Sequence, residues 1–102
     1  MSARHVPEDW SDISRAFALK VRAHREHRQM TQEDLAEAAG ISRNQVQNIE
    51  ANRNNQKNSD GRPGPGNPQL DTVFALANAL DVDVTYLIDH RRSVNLASAS
   101  DE

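Results

Sequence analysis

Arg43, Asn44, Gln47 and Asn48 stand close together in a short, otherwise helical stretch. At helical spacing they share one side, and no acid stands among them. Arginine offers a planar fork of donors; asparagine and glutamine each offer an amide donor and a carbonyl acceptor. Side chains of this kind match the edges of nucleic-acid bases. Arginine bonds bidentately to guanine, and asparagine or glutamine to adenine. On an isolated helix the same face would read equally well as a solvated polar surface. The surrounding elements therefore decide.

Other chemistries are not supported. No Ser/His/Asp or cysteine nucleophile arrangement, phosphate loop or metal cluster is visible, so no enzyme and no cofactor is expected. His24 and His27 are three apart, but no acid or cysteine has matching spacing. His24 also falls on an apolar stripe, which makes it a core histidine rather than a metal ligand. The chain has no cysteine, which rules out disulfides and cysteine-based zinc sites. No apolar run approaches the roughly 20 residues that span a bilayer. The start, Met1 to His5 followed by Pro7, Glu8 and Asp9, does not read as a signal peptide. A cytoplasmic protein without membrane association is the expectation.

The 102 residues suffice for one domain. Leu, Ile, Val and Phe together number 20, and 17 of them fall in two blocks, about 10–51 and 70–90. In the first block Trp10, Ile13, Phe17, Val21 and His24 recur at helical spacing, predicting a helix to about Arg28. Thr31 with Asp34 forms a capping box for a second helix whose inner face is Leu35, Ala36 and Ala39. Gly40 is placed as its left-handed terminator. Ser42 with Gln45 forms a second capping box, opening a third helix from Arg43 to about Ala51 with Val46 and Ile49 inside. In the second block Leu70, Val73, Phe74, Leu76, Ala77 and Leu80 predict a fourth helix. Val84, Leu87 and Ile88 predict a short fifth helix after Asp83, with Arg91 and Arg92 placed to favour its C-terminal dipole.

Residues 52–69 contain no large apolar side chain and are dense in Asn, Gly and Pro, so they read as a long loop. Residues 1–9 and 91–102 read as flexible ends. The whole is an all-α, five-helix bundle over residues 10–90, with the long loop between helices 3 and 4.

Two short capped helices joined by Gly40-Ile41-Ser42, the second unusually polar outside, have the layout of a DNA-binding helix-turn-helix. The first would brace the second, which projects towards a major groove. At this point the sequence resembles the Cro/phage-repressor-like (Xre-type) family. The resemblance rests on Thr31, Gln32, Leu35, Ala36, Gly40, Ile41, Ser42, Val46, Ile49 and Glu50, and extends over roughly residues 13–89.

The resemblance implies a compact five-helix bundle acting as a homodimer on double-stranded DNA. It implies base reading by Arg43, Asn44 and Asn48, with Gln47 beside them. Phosphate contacts would come from Gln32, Arg25, Ser42, Arg53 and Lys57, and Arg25 would pair with Glu50. The sequence departs from the family pattern at two places. Asn52 stands where glycine is usual, though asparagine tolerates the left-handed conformation. The long loop replaces a short link.

The expected function is a sequence-specific transcriptional regulator of the repressor type on a palindromic operator. Two alternatives remain: an antitoxin that binds DNA and a toxin protein, or an adaptor whose helix-turn-helix does not read bases. A protein partner, if there is one, would use the loop or the tail. The net charge of -3 does not oppose DNA binding. Residues 69–102 hold six acids and two bases, whereas residues 13–68 hold nine bases and six acids.

Overall fold

The computed structural model describes residues 8–53 and 66–97. Five helices follow in order: α1 (Trp10–His27), α2 (Gln32–Ala39), α3 (Arg43–Glu50), α4 (Leu70–Leu80) and α5 (Val84–Ile88). The described residues contain no strand. The all-helical, five-element expectation holds, with bounds within a residue or so of those read from periodicity.

The core is built from one face of each helix. Phe17 and Val21 of α1 meet Leu35 and Ala36 of α2, Val46 of α3, Val73, Leu76, Ala77 and Leu80 of α4, and Leu87 of α5. Small Ala36 permits the close approach of α2 and α3 that the turn demands. Leu70 and Phe74 belong to the predicted stripe of α4 but are 71% and 52% exposed. Helical spacing placed them on a wider arc than the core occupies. Ile88 of α5 is likewise exposed.

Four helices end in the same way. Gln29, Gly40, Asn52 and Asp81 take left-handed backbones, with φ of 60°, 73°, 54° and 58°. In each case the next residue's N–H reaches the carbonyl five residues back: Met30 to Arg25, Ile41 to Ala36, Arg53 to Asn48 and Val82 to Ala77. This is the Schellman closure, which usually carries an apolar contact over the last turn. Met30, Ile41 and Val82 supply it by packing on the core. Arg53 is the exception.

The core also holds a lysine, which was not expected. Lys20 is 1% exposed, and its ammonium donates to the carbonyls of Tyr86 and Asp89, each at 2.7 Å. It lies 4.5 Å from the centre of the Tyr86 ring. Lys20 therefore takes the C-terminal carbonyls of α5, a place the sequence reading gave to Arg91 and Arg92. Arg91 instead pairs with Asp89 at 3.0 Å, and Arg92 lies over the Tyr86 ring. Burial holds the Lys20 ammonium below its ordinary value; Asp89 opposes that shift and Arg92 adds to it.

Tyr86 is buried, and its hydroxyl meets His24 Nε2 at 2.7 Å. The same hydroxyl accepts the backbone N–H of Asn95 at 2.9 Å. The start of the expected tail is thus held against α5. His24 is the core histidine expected from its stripe, at 2% exposure. Its proton affinity is lowered, first by burial and then by His27, Lys20 and Arg28.

Two outcomes follow. Lys20→Met would leave two carbonyls without their donor, so unfolding by urea should show a loss of about 1–3 kcal/mol. An unchanged midpoint would mean that water replaces the ammonium. For His24, the folded protein binds the proton less readily than the unfolded chain. Its contribution is complete above the ordinary value of 6.5 and is lost as pH falls below it. Stability should therefore drop between about pH 7 and pH 5. The drop should be shallower in His24→Gln, whose amide oxygen can still accept from Tyr86 but cannot titrate.

Candidate nucleic-acid interface

Both helices of the pair begin with the predicted boxes. Thr31 Oγ1 accepts the Asp34 N–H while the Thr31 N–H donates to Asp34. Ser42 Oγ accepts the Gln45 N–H while the Ser42 N–H donates to Gln45. These bonds fix where each helix starts and how it points. The first N–H groups of α2 and α3 have no acceptor within their own helix, and they face outward with the positive end of the dipole. Between the two helices Gly40 makes the left-handed turn that a side chain would strain.

A single arginine joins the parts. Arg25 Nε and Nη2 donate to Glu50 at 2.6 and 3.0 Å, and Nη1 donates to the carbonyl of Met30 at 2.7 Å. Gln32 Nε2 adds a bond to Glu50 at 3.1 Å. The end of α1, the α1–α2 turn, the start of α2 and the end of α3 are therefore tied at one point. The side chains are largely buried, at 11% exposure for Arg25 and 4% for Glu50. Glu50 holds the guanidinium above its ordinary value through the hydrogen bonds and its charge, against the effect of burial. The expected Arg25–Glu50 pair is present. Three of the five guanidinium N–H groups are committed inside the protein, so Arg25 could act on phosphate chiefly through its charge.

Gln32 spends one amide hydrogen on Glu50 and keeps a second. Ser42, exposed, accepts through its hydroxyl and retains the hydroxyl's own hydrogen. Arg43 and Asn44 are exposed at the start of α3, and Gln47 and Asn48 are half-buried further along it. The four predicted readers therefore sit on one short helix beyond the second capping box.

Asn48 and Arg53 are engaged with each other. Arg53 Nε and Nη2 both donate to Asn48 Oδ1, at 3.2 and 3.1 Å. Arg53 thus turns back onto α3. Next to them Asn52 Oδ1 accepts the N–H of Gly66 at 2.9 Å, which brings the two ends of the long loop together. A Cβ at position 66 would sit 2.9 Å from that oxygen, so a larger residue there would displace the Asn52 side chain. Lys57 and most of the loop lie outside the described residues. Among the described residues no metal-binding cluster is present and no helix is long and apolar enough to cross a membrane.

Sequence reasoning missed the Asn48–Arg53 fork. Its only signal is the polar residue at 53, where the other three closures carry Met30, Ile41 and Val82.

Comparison with known proteins agrees with this architecture. Residues 21–58 match the helix-turn-helix family. No curated protein matches the chain. Among solved structures, a hypothetical transcription factor from Neisseria is similar at 24% identity, covering 86% of this chain and 84% of that one, with a TM-score of 0.62. SinR of Bacillus subtilis, a master regulator for biofilm formation solved in complex with DNA, shares 25% identity over 72% of this chain and 98% of that one, with a TM-score of 0.57. The restriction-modification controller protein C.AhdI of Aeromonas hydrophila shares 27% over 72% and 94%, with a TM-score of 0.56. Residues 21–58 thus match the helix-turn-helix family model, and the chain as a whole is similar to solved helix-turn-helix regulators.

Proposed function

We propose that the protein is a sequence-specific DNA-binding repressor that acts as a homodimer on a palindromic operator. The observation that carries this reading is the outer face of α3. Arg43 and Asn44 are exposed, Gln47 and Asn48 follow on the same helix, and no acid interrupts the four. A rigid scaffold holds that face, because the capping box and the Arg25–Glu50 tie fix both ends of the helix. The complex of SinR with DNA supports the reading at the level of a similar protein.

On this reading α3 enters the major groove with its N-terminal end at the bases. Ser42, Gln32 and the outward N–H groups of α2 and α3 take phosphate oxygens, which set position without reading sequence. Arg25 adds charge near the backbone. An eight-residue helix touches only a few base pairs, so a second copy supplies a second half-site about 34 Å away. Net charge is weakly positive only over the front of the molecule, which leaves much of the discrimination to base contacts.

Selection of bound sites from random double-stranded DNA tests this directly. A palindromic consensus is expected, and recovery of no consensus would overturn base reading. Arg43→Ala should cost roughly 1–3 kcal/mol on the selected site and relax preference at one base position. Equal weakening on every sequence would instead make Arg43 a phosphate contact. Gln32→Ala should weaken all sequences by a similar factor, measured by titration against the consensus and several mismatched sites. A changed base preference would contradict its phosphate role.

A further inference from the structure

The front half of α1, helix α3 and the start of α4 border a cavity of about 370 Å³. Phe17 and Ile49 give it apolar walls, and Ser14 and Thr72 bring hydroxyl groups to it. Small-molecule sites of this size pair apolar walls with a few placed polar groups. Thr72 is 8% exposed, and its hydroxyl has no hydrogen-bond partner among the described residues. No fully enclosed polar atom of the described side chains lacks a partner, so this hydroxyl meets open space. The cavity is the space that Thr72 lines. Ser14, also buried, donates to the Ser11 carbonyl at 3.3 Å, and its oxygen can still accept.

The electrostatics favour an anion. Helices α2, α3 and α5 each begin with a side chain that accepts a backbone N–H. Helix α4 begins at Gln69 without one. Helix α1 also lacks such a bond, but its cap residue, Asp9, is itself an acid. In α4 the first N–H to find an acceptor is that of Val73, on the Gln69 carbonyl at 3.1 Å. The earlier N–H groups leave the helix end with the positive end of the dipole, where Gln69 and Thr72 line the cavity. Arg53 lines it from the α3 side, with Nε and Nη2 on Asn48 and Nη1 uncommitted among the described residues. No acid is among the described residues that line the cavity. Asp71, in the first turn of α4, is exposed and is not one of them. A DNA phosphate carries the same charge, but it is tied to its chain, and the Ser14 and Thr72 side chains lie too deep for a duplex to reach. A small free acid can enter.

We propose that this cavity binds a small organic carboxylate, and that the bound acid weakens DNA binding. The carboxylate takes the α4 N–H groups, the Thr72 hydroxyl and Arg53, while an apolar body rests on Phe17 and Ile49. Such a ligand adds negative charge beside α3 and engages Arg53, an expected phosphate contact. Both effects oppose the approach of a polyanion. The site stands without DNA binding; the regulation rests on α3 being the DNA-reading helix.

The test uses the full chain and benzoate, with benzamide as its uncharged counterpart. In proton–nitrogen correlation spectra, millimolar benzoate should shift the amides of Gly66, Thr72 and Val73 saturably, and benzamide should not. Thr72→Val keeps the shape but loses the hydroxyl; Arg53→Met keeps the stem but loses the charge. Each should weaken benzoate binding by about tenfold, with circular dichroism confirming that both are folded. Saturating benzoate should weaken binding to the selected DNA site by about fivefold or more. Benzamide at the same concentration should leave it unchanged.

The site is overturned if the cavity amides ignore benzoate, if benzamide binds equally well, or if both variants keep the parent's affinity. If the parent ignores benzoate while Arg53→Met loses DNA affinity, Arg53 serves phosphate alone and the site is again overturned. The regulation is overturned if benzoate binds but DNA affinity is unchanged or rises. If the chain selects no DNA site, the base-reading function itself fails, while the titration still decides the cavity.

Discussion

The ion pair between Arg25 and Glu50 is the point on which the helix-turn-helix half of the molecule depends. A buried pair contributes little net stability, because removing both charges from water offsets most of their attraction. Its effect is geometric. The guanidinium is planar, and three of its N–H groups are spent on three acceptor atoms of two residues, both oxygens of Glu50 and the Met30 carbonyl. A lysine could not reproduce that fork. Helix α3 is short, with one fully buried residue, Val46, so packing alone gives it a weak hold. Capping at its start and the ion pair at its end define its direction. The presentation of every candidate reading residue follows from that direction.

The opposite half is held by a second polar centre. Lys20, His24 and Tyr86 join α1 to α5 and to the chain beyond it, through carbonyl, hydroxyl and ring contacts. Among the described residues no buried side-chain polar atom lacks a partner, so the cost of burying these groups is met by bonds. The two centres lie on one helix: Lys20 and His24 face α5, and Arg25 faces α3. Helix α1 therefore relates α3 to the C-terminal element.

Much of this was legible in the sequence, for identifiable reasons. The capping boxes were visible because they need particular side chains at a spacing of three, and both formed. Gly40 and Asn52 were visible because few residue types accept the left-handed backbone. Gln29 and Asp81 take the same conformation without advertising it; their helices end there because the next residue must reach the core. The periodicity of α4 was read correctly as a helix but too broadly as a core face, since Leu70 and Phe74 point out. Lys20 was missed although it lies three residues after Phe17 and four before His24, on the buried side. Residue type hid it: a lysine enters a core only where carbonyls wait for it, and those lie 66 and 69 residues away. The Arg53–Asn48 fork was hidden in the same way, because it depends on how the helix stops rather than on any spacing within it.

The hydrogen bond between Asn52 and Gly66 bears on how this molecule can change over evolutionary time. It clasps the chain where it leaves α3 and where it approaches α4, so the geometry at both points is set without reference to what lies between. Lengthening a closed loop costs little, about 0.6 kcal/mol for each doubling. The clasp makes that stretch a splice point: lineages can extend, shorten or replace it while the relative placement of the two helices is inherited unchanged.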